Sequence, residues 1–263
     1  MSLAVIAPTI IPTVEDPADL IRFYDDAYTQ APAEAALYAR WRALGAVGKA
    51  DHVMALCARA RLRPASTLEV GCGDGALLSE LHRRGFGGRL AGVEITDAAV
   101  RIASERPEID DVALYDGRHL PGPNGSYELG ILSHVLEHVP DPALLLAEVA
   151  RACRAVVMEV PLEDNRSARR AGKRVHAAEV GHLQRFDRAA AREIVERAGL
   201  VIAAELEDPL PLEVHCFFAS GPRAHAAAIG KWGLRTALHH FAAPLARRTF
   251  TLHYACLCLA PDA

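Results

Sequence analysis

A doubly wound, mostly parallel α/β sheet of seven strands is predicted for this chain by two observations. Short apolar runs alternate with amphipathic helical segments from residue 49 onward, and the stretch LEVGCGDGALL, residues 68–78, sets glycines at alternate positions just after the first such run. Size supports the same class. At 263 residues and 51% hydrophobic content, the chain can fill the core of one large domain.

The elements follow in order. Residues 49–62 read as an amphipathic helix, STLEVG as the first strand, GALLSELHRRG as a helix stopped by Gly85, and GRLAGVEI as the second strand. DAAVRIASER is a helix ended by Pro107. DVALYD is the third strand and YELGILS the fourth. Asp141 then opens a helix near residues 141–152, with Pro142 at its first position, and RAVVMEVP is the fifth strand. DRAAAREIVERAGL is a capped helix with Gly199 as its stop, LVIAAELE the sixth strand and RTFTLHYACLCLA the seventh. Three segments fall outside the rhythm: helical residues 17–48, polar and basic residues 163–186, and helical residues 222–247. They predict an N-terminal helical cap over residues 1–48, and a main domain over 49–263 with insertions at 163–186 and 222–247 near the substrate site. A sheet of this kind holds its ligand outside the carboxyl ends of its strands.

Composition narrows the function classes. A formal net charge of −4 and a pI near 6.3 give no global basic field for nucleic acid or an anionic membrane. The opening MSLAVIAPTIIPTVEDPADL lacks the positive n-region of an export signal and is broken by Pro8 and Pro12. No run of about eighteen apolar residues predicts a membrane span. The six cysteines include no C-x-x-C pair, and Cys256 and Cys258 are expected to point to opposite faces of their strand, unable to share a metal. A reduced cytoplasmic protein with no disulfide framework is the simplest expectation.

The glycines raise the question of the ligand. GCGDGA fits G-x-G-x-x-A, and a nicotinamide fold would explain Glu94 through a ribose diol. It gives no role to Glu69 or to Asp116-Gly117. With those residues in view, the sequence resembles the class I S-adenosylmethionine-dependent methyltransferases of small-molecule type. The resemblance covers roughly residues 49–200 and rests on LEVGCGDG, the acidic end of LAGVEI, YDG, YELGILSHVLEHVPDP and GHLQRFDRAAAREIVERAGL. It implies a Rossmann-like methyltransferase sheet, S-adenosyl-L-methionine as cofactor, and methyl transfer to an oxygen or nitrogen of a small-molecule acceptor. It further implies that the turn Gly71, Cys72, Gly73 and Gly75 lies against the methionine and ribose, with Glu69 holding the loop and the ammonium. Glu94 would take the ribose hydroxyls, Asp116 the adenine amino group, and the Gly117 N–H a ring nitrogen. Ile95 would pack on the adenine, while Ser133 and His134 would border the methionine end and the transferred methyl. Taken singly, Glu69 reads as a strand-end acid and Asp116-Gly117 as an ordinary turn.

SHVLEHV raises a second question. A helical turn there would group His134, Glu137 and His138 at i, i+3 and i+4, a candidate metal face to which His176 or His182 could add a ligand. A related Glu-x-x-Glu-His pattern marks metal-assisted methyltransferases acting on quinone precursors or RNA ends, but His134 stands where the first glutamate would be. The favoured reading makes Glu137 and His138 a buttress for the loop, with no metal. His134 is the candidate catalytic base, a neutral imidazole taking a proton from a hydroxyl or amine, or else a pocket-shaping residue.

Arg166, Arg169, Arg170, Lys173 and Arg174 crowd one segment after the fifth strand. The run reads either as a solvated face or as a capture site in which Arg169 and Arg170 hold an anionic acceptor group. Nucleic acid is disfavoured because no interleaved aromatics accompany it. Tyr24 and Tyr28 read either as core packing or as residues of a cap that closes over the cofactor and acceptor. His239, His240 and His253 show no ligand spacing. Two competitors remain: a metal-assisted O-methyltransferase acting on a catechol-like or RNA-terminal hydroxyl, and a non-catalytic nucleotide- or cofactor-binding protein.

Overall fold

The computed structural model describes residues 31–261 together with residues 21, 24, 25, 28 and 29. Most of the expected N-terminal cap therefore lies outside the described residues. The chain runs α1 (Pro32–Arg59), β1 (Ser66–Val70), α2 (Ala76–Arg83), β2 (Arg89–Glu94), α3 (Asp97–Ser104), β3 (Asp111–Leu114) and β4 (Tyr127–Ser133). It continues through α4 (Pro142–Ala152), β5 (Cys153–Pro161), α5 (Ala171–Glu179), α6 (Arg188–Arg197) and β6 (Val201–Asp208). Then come α7 (Leu212–Cys216), α8 (Gly221–Phe241), α9 (Ala243–Thr249) and β7 (His253–Leu259).

The seven strands form one sheet in the order β3-β2-β1-β4-β5-β7-β6. Pairing is parallel from β3 to β5, while β7 inserts antiparallel to both β5 and β6. The central strands are apolar because helices cover both of their faces. On one face α1 and α2 pack Val53, Leu56, Leu77 and Leu81 against Ile131, Val157 and Leu257. On the other, α4 and α6 pack Leu146, Val149, Ile194 and Val195 against Leu132, Val156, Met158 and Tyr254.

Local chemistry fixes the helix ends as the sequence predicts. Asp141 accepts from Leu144 N at 3.2 Å and Asp187 from Ala190 N at 2.8 Å, so short polar side chains satisfy N–H groups that have no partner within the helix. The expected cap boundary at residue 48 falls inside α1, which runs unbroken through it. The insertion at 163–186 holds α5, and that at 222–247 holds most of α8 and α9. One expectation is overturned. Alternate residues of a strand point the same way, so Cys256 and Cys258 share a face, with their sulfurs 3.5 Å apart. All six cysteines are free thiols, and no helix among the described residues is long and apolar enough to cross a membrane.

Gly88, in the turn before β2, tests how tightly the amino-terminal ends of β1 and β2 are packed. It has φ +62°, and an added Cβ would lie 2.1 Å from the Ala65 carbonyl oxygen. Gly88→Ala should destabilise the fold by about 2–4 kcal/mol, from left-handed strain plus a backbone clash. An unshifted urea midpoint would show that this turn can relax.

Candidate active site

The glycine turn sits at the carboxyl end of β1. Gly71, Gly73 and Gly75 have φ of 70°, 58° and 75°, a left-handed geometry that other residues adopt only under strain. Gly71 N and Cys72 N both donate to the Val93 carbonyl, at 2.9 and 3.2 Å, and this clamps the turn onto β2. A Cβ on Gly73 would lie 2.7 Å from the Tyr28 hydroxyl, so the bare backbone is what allows the tyrosine to cover the turn.

Glu94 ends β2 directly beside it. Its two carboxylate oxygens accept from Gly73 N and Ile95 N, each at 2.8 Å. Burial raises its pKa, and the two N–H donors oppose that rise. Glu69 is 4% exposed, its Oε2 has no hydrogen-bond partner, and burial pushes its carboxyl up to about 8 despite the opposing charge of Lys49. Cys72 turns its side chain inward against Leu78 and Leu90, so only its backbone belongs to the turn's outer surface.

Of these residues, Gly71 and Glu94 line a cavity of about 680 Å³, a size suited to a small organic ligand; Glu69, Cys72, Gly73 and Gly75 are not among its lining residues. Gly71, Glu94, Ile95, Asp116 and Gly117 line one side of it, with Tyr115 among them. Tyr24 and Tyr28 line it from the N-terminal side, and His134 and His138 from the end of β4. Asp116 is held in a turn: it accepts from Arg118 N at 2.8 Å, His119 N at 2.6 Å and the His119 ring at 2.8 Å. The His119 bond is the main reason its carboxyl falls to about 2. Ser133, the residue before the cavity-lining His134, is buried and its hydroxyl lacks a partner; it is not itself among the lining residues. Arg169 pairs with Asp164 on the surface at 2.8 Å, and Arg170 caps α5; neither lines the cavity.

The helical grouping expected from SHVLEHV is replaced by a single 3₁₀ turn, Leu136–His138, with His134 ahead of it at φ 60°. His134 is held by carboxylates on both sides. Its Nε2 lies 3.2 Å from Glu159 Oε1 and 3.1 Å from His253 Nδ1, and its Nδ1 lies 3.1 Å from Glu137 Oε1, outside hydrogen-bond alignment. Burial would lower its pKa, but Glu137 and Glu159 outweigh that and raise it. His138 is lowered by burial; its Nδ1 meets the Tyr24 hydroxyl at 2.6 Å and the Gly181 carbonyl at 3.1 Å.

Glu159 also meets His52 and His253, at 3.0 and 2.9 Å, and His52 reaches Asp208 at 3.1 Å. The sequence reading missed this cluster. Its one visible signal was a lone glutamate in the apolar strand RAVVMEVP. Two groups have metal-ligand proximity among the described residues: His134, Glu159 and His253, and Glu137, His138 and His182. In the first, the hydrogen bonds already account for the carboxylate. In the second, both Glu137 carboxylate oxygens are buried without a hydrogen-bond partner, while its backbone carbonyl accepts from Leu183 N and Gln184 N at 2.8 and 2.9 Å and ties the end of the basic insertion to the 3₁₀ turn.

Residues 38–205 match the family described as "methyltransferase domain". The chain belongs to that family. Among methyltransferase relatives, the ubiquinone biosynthesis O-methyltransferase of Acinetobacter baylyi is 31% identical over 96 residues, which is 34% of this chain and 38% of that enzyme. The match thus spans well under half of the curated relative. Phosphoethanolamine N-methyltransferase 2 of Haemonchus contortus superposes with a TM-score of 0.63 at 13% identity, over 92% of this chain and 60% of that one. Geranyl diphosphate C-methyltransferase of Streptomyces coelicolor A3(2) superposes at 0.54 and 16% identity, over 74% and 70%. At these identities the two structures establish the shared fold.

The Glu159 cluster has a pH signature. Burial alone would lower the His52 pKa, but its hydrogen bonds to Asp208 and Glu159 raise it from 6.5 to about 10. Its contribution to stability is complete below about 6.5 and is lost as pH rises through about 10. Urea midpoints of the native protein should therefore fall across that alkaline window, and those of His52→Gln should fall less steeply. Parallel curves would detach His52 from the alkaline transition.

Proposed function

We propose that this protein transfers the methyl group of S-adenosyl-L-methionine to an oxygen or nitrogen of a small-molecule acceptor. The observation that carries the reading is the left-handed glycine turn joined to Glu94 at the edge of a ligand-sized cavity, within a chain of the methyltransferase-domain family. The residues suit the cofactor. Glu69 keeps a buried oxygen without a partner, suited to fixing the loop and an ammonium, and Glu94 offers its remaining lone pairs to a ribose diol. Asp116 and the Gly117 N–H are assigned to the adenine edge, Ile95 to its face, and the Gly71–Gly75 backbone to the methionine and ribose. Ser133 borders the methionine end. When bound, the cofactor supplies a methyl already activated by a sulfonium, so orientation and exclusion of water are the chain's main tasks.

Tyr24 and Tyr28 close the cavity from the N-terminal side. His134, held between Glu137 and Glu159, which raise its pKa against burial, is assigned to shaping the reactive end rather than to taking the proton. The proton acceptor is assigned to His138, which burial keeps neutral near pH 7 and which the Tyr24 hydroxyl contacts. A cytoplasmic setting accompanies the reading, supported by six free thiols.

Incubation with methyl-labelled cofactor and a metabolite extract should yield a labelled small molecule. Tight binding of S-adenosylhomocysteine without any labelled product would instead support a cofactor sensor. Glu94→Ala should weaken S-adenosylhomocysteine binding roughly ten- to hundredfold, the worth of hydrogen bonds to a charged group. Unchanged affinity in the folded variant would remove the ribose assignment. Label transfer should also survive EDTA, since no step is assigned to a metal at Glu137 and His138; loss on chelation, restored by a divalent ion, would make the protein a metal-assisted enzyme.

A further inference from the structure

The basic segment does not reach the cavity, and its location is informative. Arg166 N donates to the Arg248 carbonyl at 2.9 Å and Ser167 N to the Thr249 carbonyl at 3.0 Å, which docks the segment on the end of α9. Beside it on α8, Lys231 and Arg235 lie one turn apart on one helix face. Arg235 is 6% exposed, yet no carboxylate among the described residues pairs with it. Its Nη1 reaches the Pro209 carbonyl at 3.3 Å and His215 Nε2 at 3.4 Å, both long contacts, and its Nε is buried with no partner. The guanidinium also lies 5.6 Å from the centre of the Phe250 ring.

Asp208 is the nearest acid that acts on it, and that carboxylate is already engaged by His52 and the Leu210 N–H at 3.1 Å each. Among the described residues, Lys231 makes no ion pair either. The charges of Arg235, Lys173 and Arg170 all bear on it, adding to burial in lowering its pKa. A guanidinium this deep is normally paired, because leaving its charge uncompensated away from water is strongly unfavourable.

We propose that Arg235, Lys231, Lys173 and Arg170 form a binding site for a phosphate group carried by the methyl acceptor. The acceptor part of this statement rests on the methyltransferase reading above. A tetrahedral dianion matches the donor set better than a carboxylate: it offers oxygens to a planar guanidinium and to two ammonium groups at once. The site's position is consistent with an acceptor tail. Pro209 and Asp208 stand at the carboxyl end of β6, Asp208 pairs in register with His253, and the His253 ring lies 4.4 Å from that of His134 at the cavity wall. The anionic group anticipated at Arg169 and Arg170 thus belongs with Arg170 and α8.

The test is calorimetric titration of the full chain with inorganic phosphate, alongside S-adenosylhomocysteine as an independent ligand. Phosphate should bind saturably, at least about tenfold more weakly in Arg235→Gln and Lys231→Gln, and unchanged in Arg118→Gln at the cavity. Absence of saturable binding, equal affinity in the α8 variants, or loss in Arg118→Gln would overturn the site. If Arg235→Gln fails to fold, the exposed Lys231→Gln decides alone. Phosphate binding without S-adenosylhomocysteine binding would sink the cofactor reading and spare this site; the reverse would sink this site only. Inorganic phosphate should also slow label transfer to the extract's acceptor, and transfer indifferent to phosphate would show a site for the free ion, separate from the acceptor.

Discussion

A carboxylate sealed inside a sheet needs donors on every side, and Glu159 obtains them from three imidazoles on separate parts of the chain. His52 comes from α1, His253 from β7 and His134 from the end of β4. Burial would otherwise force the carboxyl to protonate; hydrogen bonds from these rings hold it well below the ordinary carboxylate range. The arrangement fixes the reactive wall of the cavity. His134 is tied twice to one residue, through its ring and through its backbone N–H to the Glu159 carbonyl at 2.9 Å, and it keeps a left-handed φ of 60° there. The ring cannot swing freely without uncovering a buried charge.

The opposite wall depends on a second buried acid. Asp74, 2% exposed inside the glycine turn, accepts from Arg42 of α1 at 2.8 Å and faces Arg106 at 3.6 Å. Arg42 also lies 5.1 Å from the centre of the Tyr28 ring. One helix therefore braces both walls, through Arg42 on the turn side and His52 on the Glu159 side. The glycines shape the floor, and α1 sets the distance between its edges.

Much of the fold was legible in the sequence because its signals are local. Seven apolar runs, Asp141 with Pro142, Asp187 and Gly199 mark element positions without reference to distant residues. The turn and Glu94 were legible for a related reason: glycine at alternate positions and an acid at a strand end each have a narrow range of uses. The Glu159 cluster was not, since His52, His134, Glu159 and His253 are brought together only by the order of strands. His134 shows the limit clearly. Its place after β4 pointed to the cavity, but the two carboxylates that flank its ring come from the packing of β5 and the 3₁₀ turn. The basic run likewise announced its charge, while its docking on α9 depended on backbone hydrogen bonds that composition does not encode.

The antiparallel insertion of β7 between β5 and β6 has a consequence for how such a chain can diversify. To place β7 there, the polypeptide leaves the sheet after Asp208, builds α7, α8 and α9 outside it, and returns at His253. The groups assigned to the methyl donor all come from the stretch between Glu69 and Ser133, on the other half of the sheet. The excursion is therefore a cassette: its helices can be lengthened, recharged or exchanged while the donor half keeps its geometry. Its two anchor points, Asp208 and His253, face each other in register. On the proposed reading, a lineage could change the acceptor there while keeping the half assigned to the methyl donor.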